Sequence, residues 1–211
     1  MFDRIAPRYD LLNRALTFGL DTRWRKQAVD ALGLRAGAVV ADVASGTGDL
    51  CRDLGAAGLV PIGVDFSFGM LTAARTEAPL VQGDALALPL ASASIDGATS
   101  GFALRNFDAL APVFDELARV IRPGGRIALL DVAEPRNRIL RRGHGAYFGR
   151  VVPLVGGLVS DKAAYRYLPE SVVYLPESDE MCAMLERAGF NDVRHQLLTG
   201  GISQLMTASR S

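Results

Sequence analysis

The sequence predicts an α/β protein built on a mostly parallel sheet with helices on both faces. Short β-branched and apolar runs alternate with helix-like stretches through the middle of the chain, the pattern of strand–helix–strand crossovers. A glycine-rich turn, Ala44-Ser-Gly-Thr-Gly48, joins the first of these runs to the first helix. Two closing runs, about 192–198 and 202–209, have so little loop between them that they read as an antiparallel pair finishing the sheet. With 211 residues, of which 49% are hydrophobic, the chain suits one domain with a sizeable core.

In order, Ala38–Val43 reads as a first buried strand, with a helix beginning near Asp49. Val60–Asp65 is a second strand. A helix from about Ser67, a serine suited to N-capping, carries Met70, Leu71 and Ala74 at helical spacing. Leu80–Gln82 is a short third strand ending at Gly83-Asp84, and Ile95–Gly101 is the fourth. Asp108 starts a helix through Val120, and Arg122-Pro-Gly-Gly125 signals a turn before the fifth strand, Arg126–Val132. Ser178 to Ala188 reads as a helix stopped by Gly189. Two pieces fit no alternation: an N-terminal helical cap (about 1–33) and an inserted helical lid (about 134–175). Both are expected to cover the ligand end of a single domain, 1–211.

Composition excludes several classes. The formal net charge is zero and the pI about 6.7, so a general attraction to nucleic acid has no support. Cys51 and Cys182 form no CxxC, and His144 and His195 are the only histidines, so no metal site is expected. The 23 cationic residues are arginines except for Lys26 and Lys162, which limits lysine chemistry to two candidates. The opening MFDRIAPRYD is charged from its third residue, unlike a signal peptide, and Val151–Val159 is too short to span a bilayer. A reducing cytosol is the expected location.

Asp42-Val-Ala-Ser-Gly-Thr-Gly48 lies outside the carboxyl end of the first strand, where open α/β sheets bind nucleotides. A dinucleotide fingerprint would need a third glycine where Cys51 stands, which removes the nicotinamide-oxidoreductase reading. Asp49 brings negative charge to the helix start, which repels phosphate and suits an amino group. Asp65 closes the second strand, where a carboxylate accepts from ribose hydroxyls. Asp84 closes the third, where one accepts from an exocyclic adenine amine. An amino-acid end, a ribose and an adenine together describe S-adenosylmethionine.

With these pieces the sequence resembles class I S-adenosylmethionine-dependent methyltransferases, and more narrowly the ubiquinone/menaquinone biosynthesis C-methyltransferase family. The narrower likeness rests on Met1-Phe-Asp-Arg-Ile-Ala-Pro-Arg-Tyr-Asp10 with Asn13, on Phe18-Gly19 and Trp24-Arg25, and on Phe102-Ala-Leu-Arg-Asn106. Ala164-Tyr-Arg-Tyr-Leu-Pro-Glu-Ser171 and Leu198-Thr-Gly-Gly201 extend it to nearly the whole chain. It implies a Rossmann-like fold with a seven-stranded sheet and a final antiparallel strand. It also implies methyl transfer from S-adenosyl-L-methionine to a ring carbon of a prenylated quinol, demethylmenaquinol above all.

The expected cofactor-binding set is Asp42, Ser45, Gly46, Thr47 and Gly48 around the first turn, Asp65 and Phe66, Asp84 and Ala85, and Gly101. Of these, Thr47, Asp65, Asp84 and Ala85 match the family's cofactor positions. Arg105, Asn106 and Tyr9 are the expected catalytic residues, with Arg105 stabilising a ring oxyanion. A surface ion pair from Arg105 to Asp108 or Glu116 is the alternative for that arginine. His144 receives no role, Tyr165 and Tyr167 read equally as lining of the acceptor pocket or as core residues, and Trp24 reads as a packing anchor. Gly101 stands where the family commonly has serine, and the tail Gln204-Leu-Met-Thr-Ala-Ser-Arg-Ser departs from the family's ending.

Arg136, Arg138, Arg141 and Arg142 precede an apolar run, so 136–159 suits peripheral contact with the inner face of an anionic membrane. A solvated charge cluster explains the same letters. A homodimer is compatible with the reading. Two other functions stay open: methylation of a soluble phenol or polyketide, and a non-catalytic cofactor-binding partner within a biosynthetic assembly.

Overall fold

A computed structural model of the chain describes residues 14, 17–133, 135 and 175–211. Seven strands form one sheet: β1 (Val39–Val43), β2 (Val60–Asp65), β3 (Leu80–Gln82), β4 (Ile95–Gly101), β5 (Ile121–Val132), β6 (Phe190–Leu198) and β7 (Ser203–Arg210). Helices α1 (Leu20–Leu32), α2 (Asp49–Ala56), α3 (Phe68–Ala73), α4 (Leu110–Val120) and α5 (Ser178–Arg187) connect and cover them. The strand order is β3-β2-β1-β4-β5-β7-β6, and β7 runs antiparallel to both its neighbours while the first five strands pair in parallel.

Side-chain alternation along the strands divides the core into two layers. Ile127 and Leu129 face a cluster with Phe114 and Leu117 of α4 and Met181 and Leu185 of α5. Ala128 and Leu130 face the other side, with Trp24 and Leu32 of α1 and Leu50 and Leu54 of α2. A one-residue slip of β5 would exchange the two sets, so burial on both faces fixes its register. Truncating a fully buried Leu129 to alanine in such a core costs about 2–5 kcal/mol.

The predicted fold class is the one observed, with three local corrections. Arg122-Pro-Gly-Gly125 does not precede the fifth strand but bulges out of it: Ile95 pairs with Ile121 and Gly97 with Arg126, so the intervening residues are extruded. Helix α4 begins at Leu110 rather than Asp108, because Ala109 is extended and no side chain caps the helix. Ser67 does cap α3, its hydroxyl accepting from the Met70 N–H, yet the helix ends at Ala73 and Ala74 is already extended. The 134–175 lid and most of the N-terminal cap lie outside the described residues. No helix among the described residues is long and apolar enough to cross a membrane.

Strands are added to one side of β1 as far as β3 and to its other side from β4 onward, so the strand order switches between β1 and β4. The β2 side and the β4 side therefore diverge from β1, and a crevice opens above their carboxyl ends.

Candidate active site

A cavity of about 490 Å³ occupies that crevice. Its wall includes Asp42, Ser45, Gly46, Thr47, Asp65, Phe66, Asp84, Ala85, Gly101, Arg105 and Asn106, eleven residues expected from the sequence that tertiary structure brings to one place. Gly48 is the exception. It supports the turn from behind, where an added Cβ would stand 2.6 Å from Thr76 Cγ2, at φ +82. Tyr9 lies outside the described residues.

The glycine turn owes its shape to backbone that needs glycine. Gly46 (φ +55) lines the cavity, and no atom lies within 4 Å of where its Cβ would be, so a ligand can approach the main chain there. The turn is tied down by Ser45 N–H to Val64 O (3.1 Å), Gly48 N–H to Ser45 O (2.9 Å) and Arg75 N–H to Thr47 O (3.0 Å). The Ser45 hydroxyl is buried and has no hydrogen-bond partner among the described residues.

Asp65 is oriented by two backbone donors. The Gly46 N–H donates to Oδ2 (2.7 Å) and the Ser67 N–H to Oδ1 (2.8 Å), fixing the carboxylate at the end of β2 between the two turns. A carboxylate oxygen can accept more than one hydrogen bond, including those that vicinal hydroxyls supply. Asp84 takes the Leu86 N–H (2.9 Å) in a local turn and is exposed. The exposed side chains of Phe66 and Leu86 flank it, apolar surface suited to a flat heterocycle.

Asp42 sits beneath the turn, 1% exposed. It accepts from the Thr99 hydroxyl (2.9 Å) and the Cys51 thiol (3.6 Å). Burial pushes its carboxyl up to about 7, and Asp65 adds to the rise, while Thr99, Cys51 and Arg25 act the other way.

Arg105 follows Phe102, itself at φ +60, in a short 3-10 turn over Leu104–Asn106. Neither Asp108 nor Glu116 is its partner. Glu116 instead pairs with Arg119 (2.6 Å) and accepts the Leu88 N–H (2.6 Å). Arg105 Nη1 pairs with Asp131 of β5, and the side chains of the two are 7% and 0% exposed. Sequence reasoning missed Asp131, which ends an apolar run and carries no motif.

A second missed group is Arg25 on α1, named only for its likeness to a family dipeptide. It pairs with Asp21 (2.6 Å), Asp49 (2.9 Å) and Asp53 (2.6 Å), so Asp49 does not present a bare charge to the cavity. Burial alone would lower its pKa. Asp53, Asp49 and Asp21 together raise it above the ordinary guanidinium value. Thr17, Asp21, Arg25 and Asp49 all line the cavity, so α1 contributes to its wall through Asp21 and Arg25.

Residues 1–210 match the model of the ubiE/COQ5 methyltransferase family. The chain belongs to this family. Among its relatives is the ubiquinone/menaquinone biosynthesis C-methyltransferase UbiE of Syntrophotalea carbinolica, 44% identical over 100% of this chain and 93% of that one. Another is the demethylmenaquinone methyltransferase of Thermus thermophilus, 43% identical over the whole length of both. A solved SAM-dependent methyltransferase from Thermotoga maritima shares the fold, with a TM-score of 0.64 and 21% identity over 97% of this chain and 98% of that one. The cavity presents an open glycine at Gly46, a doubly anchored carboxylate at Asp65, and exposed apolar side chains at Phe66 and Leu86. Its volume is in the range of small-molecule sites.

Proposed function

We propose that this chain methylates a ring carbon of a prenylated quinol, demethylmenaquinol above all, with S-adenosylmethionine as donor. Two relatives more than 40% identical over its full length carry the names of enzymes acting on ubiquinone and menaquinone precursors. The observation that supports the chemistry best is the buried arginine at the cavity wall, held beside Asn106 at the end of β4.

Asp65 and the Gly46 backbone would hold the ribose, Asp84 with Ala85, Phe66 and Leu86 the adenine, and Thr47 with the floor around Asp42 the amino-acid end. When bound, S-adenosylmethionine supplies a sulfonium methyl already activated for in-line transfer. The chain's own task is to align the acceptor and make its carbon nucleophilic. Arg105 stabilises the oxyanion of the ring hydroxyl beside the reacting carbon, and Asn106 orients that oxygen. The methyl's bond to sulfur would break as its bond to the ring carbon forms, and the ring proton then leaves that carbon to a held water or to Tyr9 as relay, since arginine is a poor proton acceptor.

The acceptor's prenyl tail favours a membrane surface, and the reading includes peripheral contact through 136–159 at its inner face. Vesicle binding that survives replacement of Arg136, Arg138, Arg141 and Arg142 by glutamine removes that contact, and sedimentation of the purified chain tests for a homodimer.

The deciding experiment gives the protein labelled S-adenosylmethionine with reduced demethylmenaquinol, a benzoquinol analogue and simple phenols. Label in the naphthoquinol alone supports the proposal. Label only in a phenol assigns a soluble acceptor, and donor binding without transfer assigns a non-catalytic role. Arg105→Gln is expected to cut turnover about 100-fold while donor affinity holds, and equal loss of both overturns the role given to Arg105.

A further inference from the structure

We propose that Asp131 is a positioning residue for methyl transfer, one that sets Arg105 before the acceptor arrives. The inference rests on the reading of Arg105 as the oxyanion-binding group.

Asp131, the last residue but one of β5, is fully buried and holds Arg105 at two points. Its Oδ2 accepts the Arg105 backbone N–H (3.2 Å), which fixes the 3-10 turn. Its Oδ1 pairs with Nη1 of the same residue and also accepts the Val132 N–H (2.7 Å). One carboxylate therefore orients both the main chain and the guanidinium of Arg105. Arg105 and Val132 line the cavity and Asp131 does not, so any effect of Asp131 on an acceptor passes through Arg105.

The main chain that carries this carboxylate is itself held in place. The Asp131 carbonyl accepts from the Ser203 hydroxyl (2.8 Å), and the Val132 carbonyl accepts from Gln204 Nε2 (3.0 Å). Gln204 Oε1 lies 2.8 Å from His195 Nε2 on β6. Antiparallel pairing of β7 with β5 brings these groups alongside, Asp131 opposite Gln204 and Val132 opposite Ser203. The chain's unusual tail thus braces the strand end that carries Asp131.

Geometry also leaves part of the guanidinium uncommitted. Arg105 Nε is buried and has no hydrogen-bond partner among the described residues, so the ion pair with Asp131 does not exhaust its donors. A long flexible side chain clamped at Nη1 keeps its planar fork in one orientation, and pre-orientation of this kind is worth most where charge develops during reaction.

The test compares Asp131→Asn, Asp131→Glu, Arg105→Gln and the Asp131→Asn/Arg105→Gln pair, with turnover on reduced demethylmenaquinol and donor affinity by calorimetry as separate readouts. Asp131→Asn is expected to lower kcat about 100-fold, the loss typical of a misplaced catalytic group, while the donor still binds normally. Asp131→Glu should fall between it and the wild type. In the Arg105→Gln background, Asp131→Asn should cause no further loss, because its partner is gone. Full turnover in Asp131→Asn, or losses that multiply in the double variant, overturns the proposal while leaving Arg105 in place. Wild-type turnover in Arg105→Gln overturns the reading of Arg105 and this proposal with it. Should Asp131→Asn fail to bind donor through misfolding, Asp131→Glu carries the test, and unchanged kcat there counts against the inference.

Discussion

The indole N–H of Trp24 donates to the Thr199 hydroxyl over 2.8 Å, joining the N-terminal helix α1 to the turn between β6 and β7. The same ring lies 6.3 Å from Phe102, the residue that opens the Arg105 turn. One buried side chain thus ties both ends of the described chain to the floor of the active site. Trp24→Phe retains most of the packing and removes this bond to the exposed Thr199 hydroxyl, so a loss of about 0.5–1.5 kcal/mol is expected. Urea denaturation measures it, and an unchanged midpoint would show that the bond contributes nothing.

Arg25 holds three carboxylates, and two of them, Asp49 and Asp53, belong to α2 behind the glycine turn. Arg25→Met keeps much of the volume but leaves the nearly buried Asp21 without its counter-ion. The expected cost is about 3–5 kcal/mol, the usual penalty for stranding a buried charge. Thermal unfolding reads the loss directly. Donor affinity should fall as well, because Arg25 and Asp21 line the cavity.

Asp42 predicts a pH dependence with a definite sign. Its carboxyl is raised to about 7 in the folded chain, so the native state keeps a proton that the unfolded chain has already lost. The stability due to this group is full below the ordinary carboxyl value near 4 and is lost as pH rises through about 7. A cationic donor in the adjoining cavity favours the ionised form, so donor affinity should climb over the same interval. Asp42→Asn should flatten both trends. Calorimetric titrations on either side of neutrality check this, and a wild-type affinity indifferent to pH would refute it.

Asp65→Asn places an amide where the carboxylate now takes two backbone N–H groups. One of those donors must then face another donor or lose its partner. Donor affinity is expected to fall roughly 10- to 100-fold, equivalent to one or two charge-assisted hydrogen bonds. Isothermal titration with S-adenosylhomocysteine measures it without turnover, and an affinity equal to the wild type's would remove Asp65 from the ribose site.

The carboxylates at the ends of β2 and β3 and the glycine turn were legible because each is a local event: a strand stops, and a polar residue or glycine follows. Arg105 was legible through its motif, but its partner was not. Asp108 and Glu116 are near it in sequence, whereas Asp131 is 26 residues away and reaches it only because β4 and β5 are neighbours in the sheet. Arg122-Pro-Gly-Gly125 misled for the opposite reason. Its letters favour a turn, yet hydrogen bonding to β4 on both sides holds the stretch within one strand.

By itself, then, the sequence determined the α/β class, the order of the strands along the chain, and the polar groups that cap their ends, since hydrophobic period and turn chemistry are local properties. Tertiary structure alone decided which charges are paired: Arg25 with Asp21, Asp49 and Asp53, and Arg105 with Asp131. Such pairings follow from strand order and helix docking, and burial makes them matter, because a charge removed from water must find its counter-charge wherever the fold has put one.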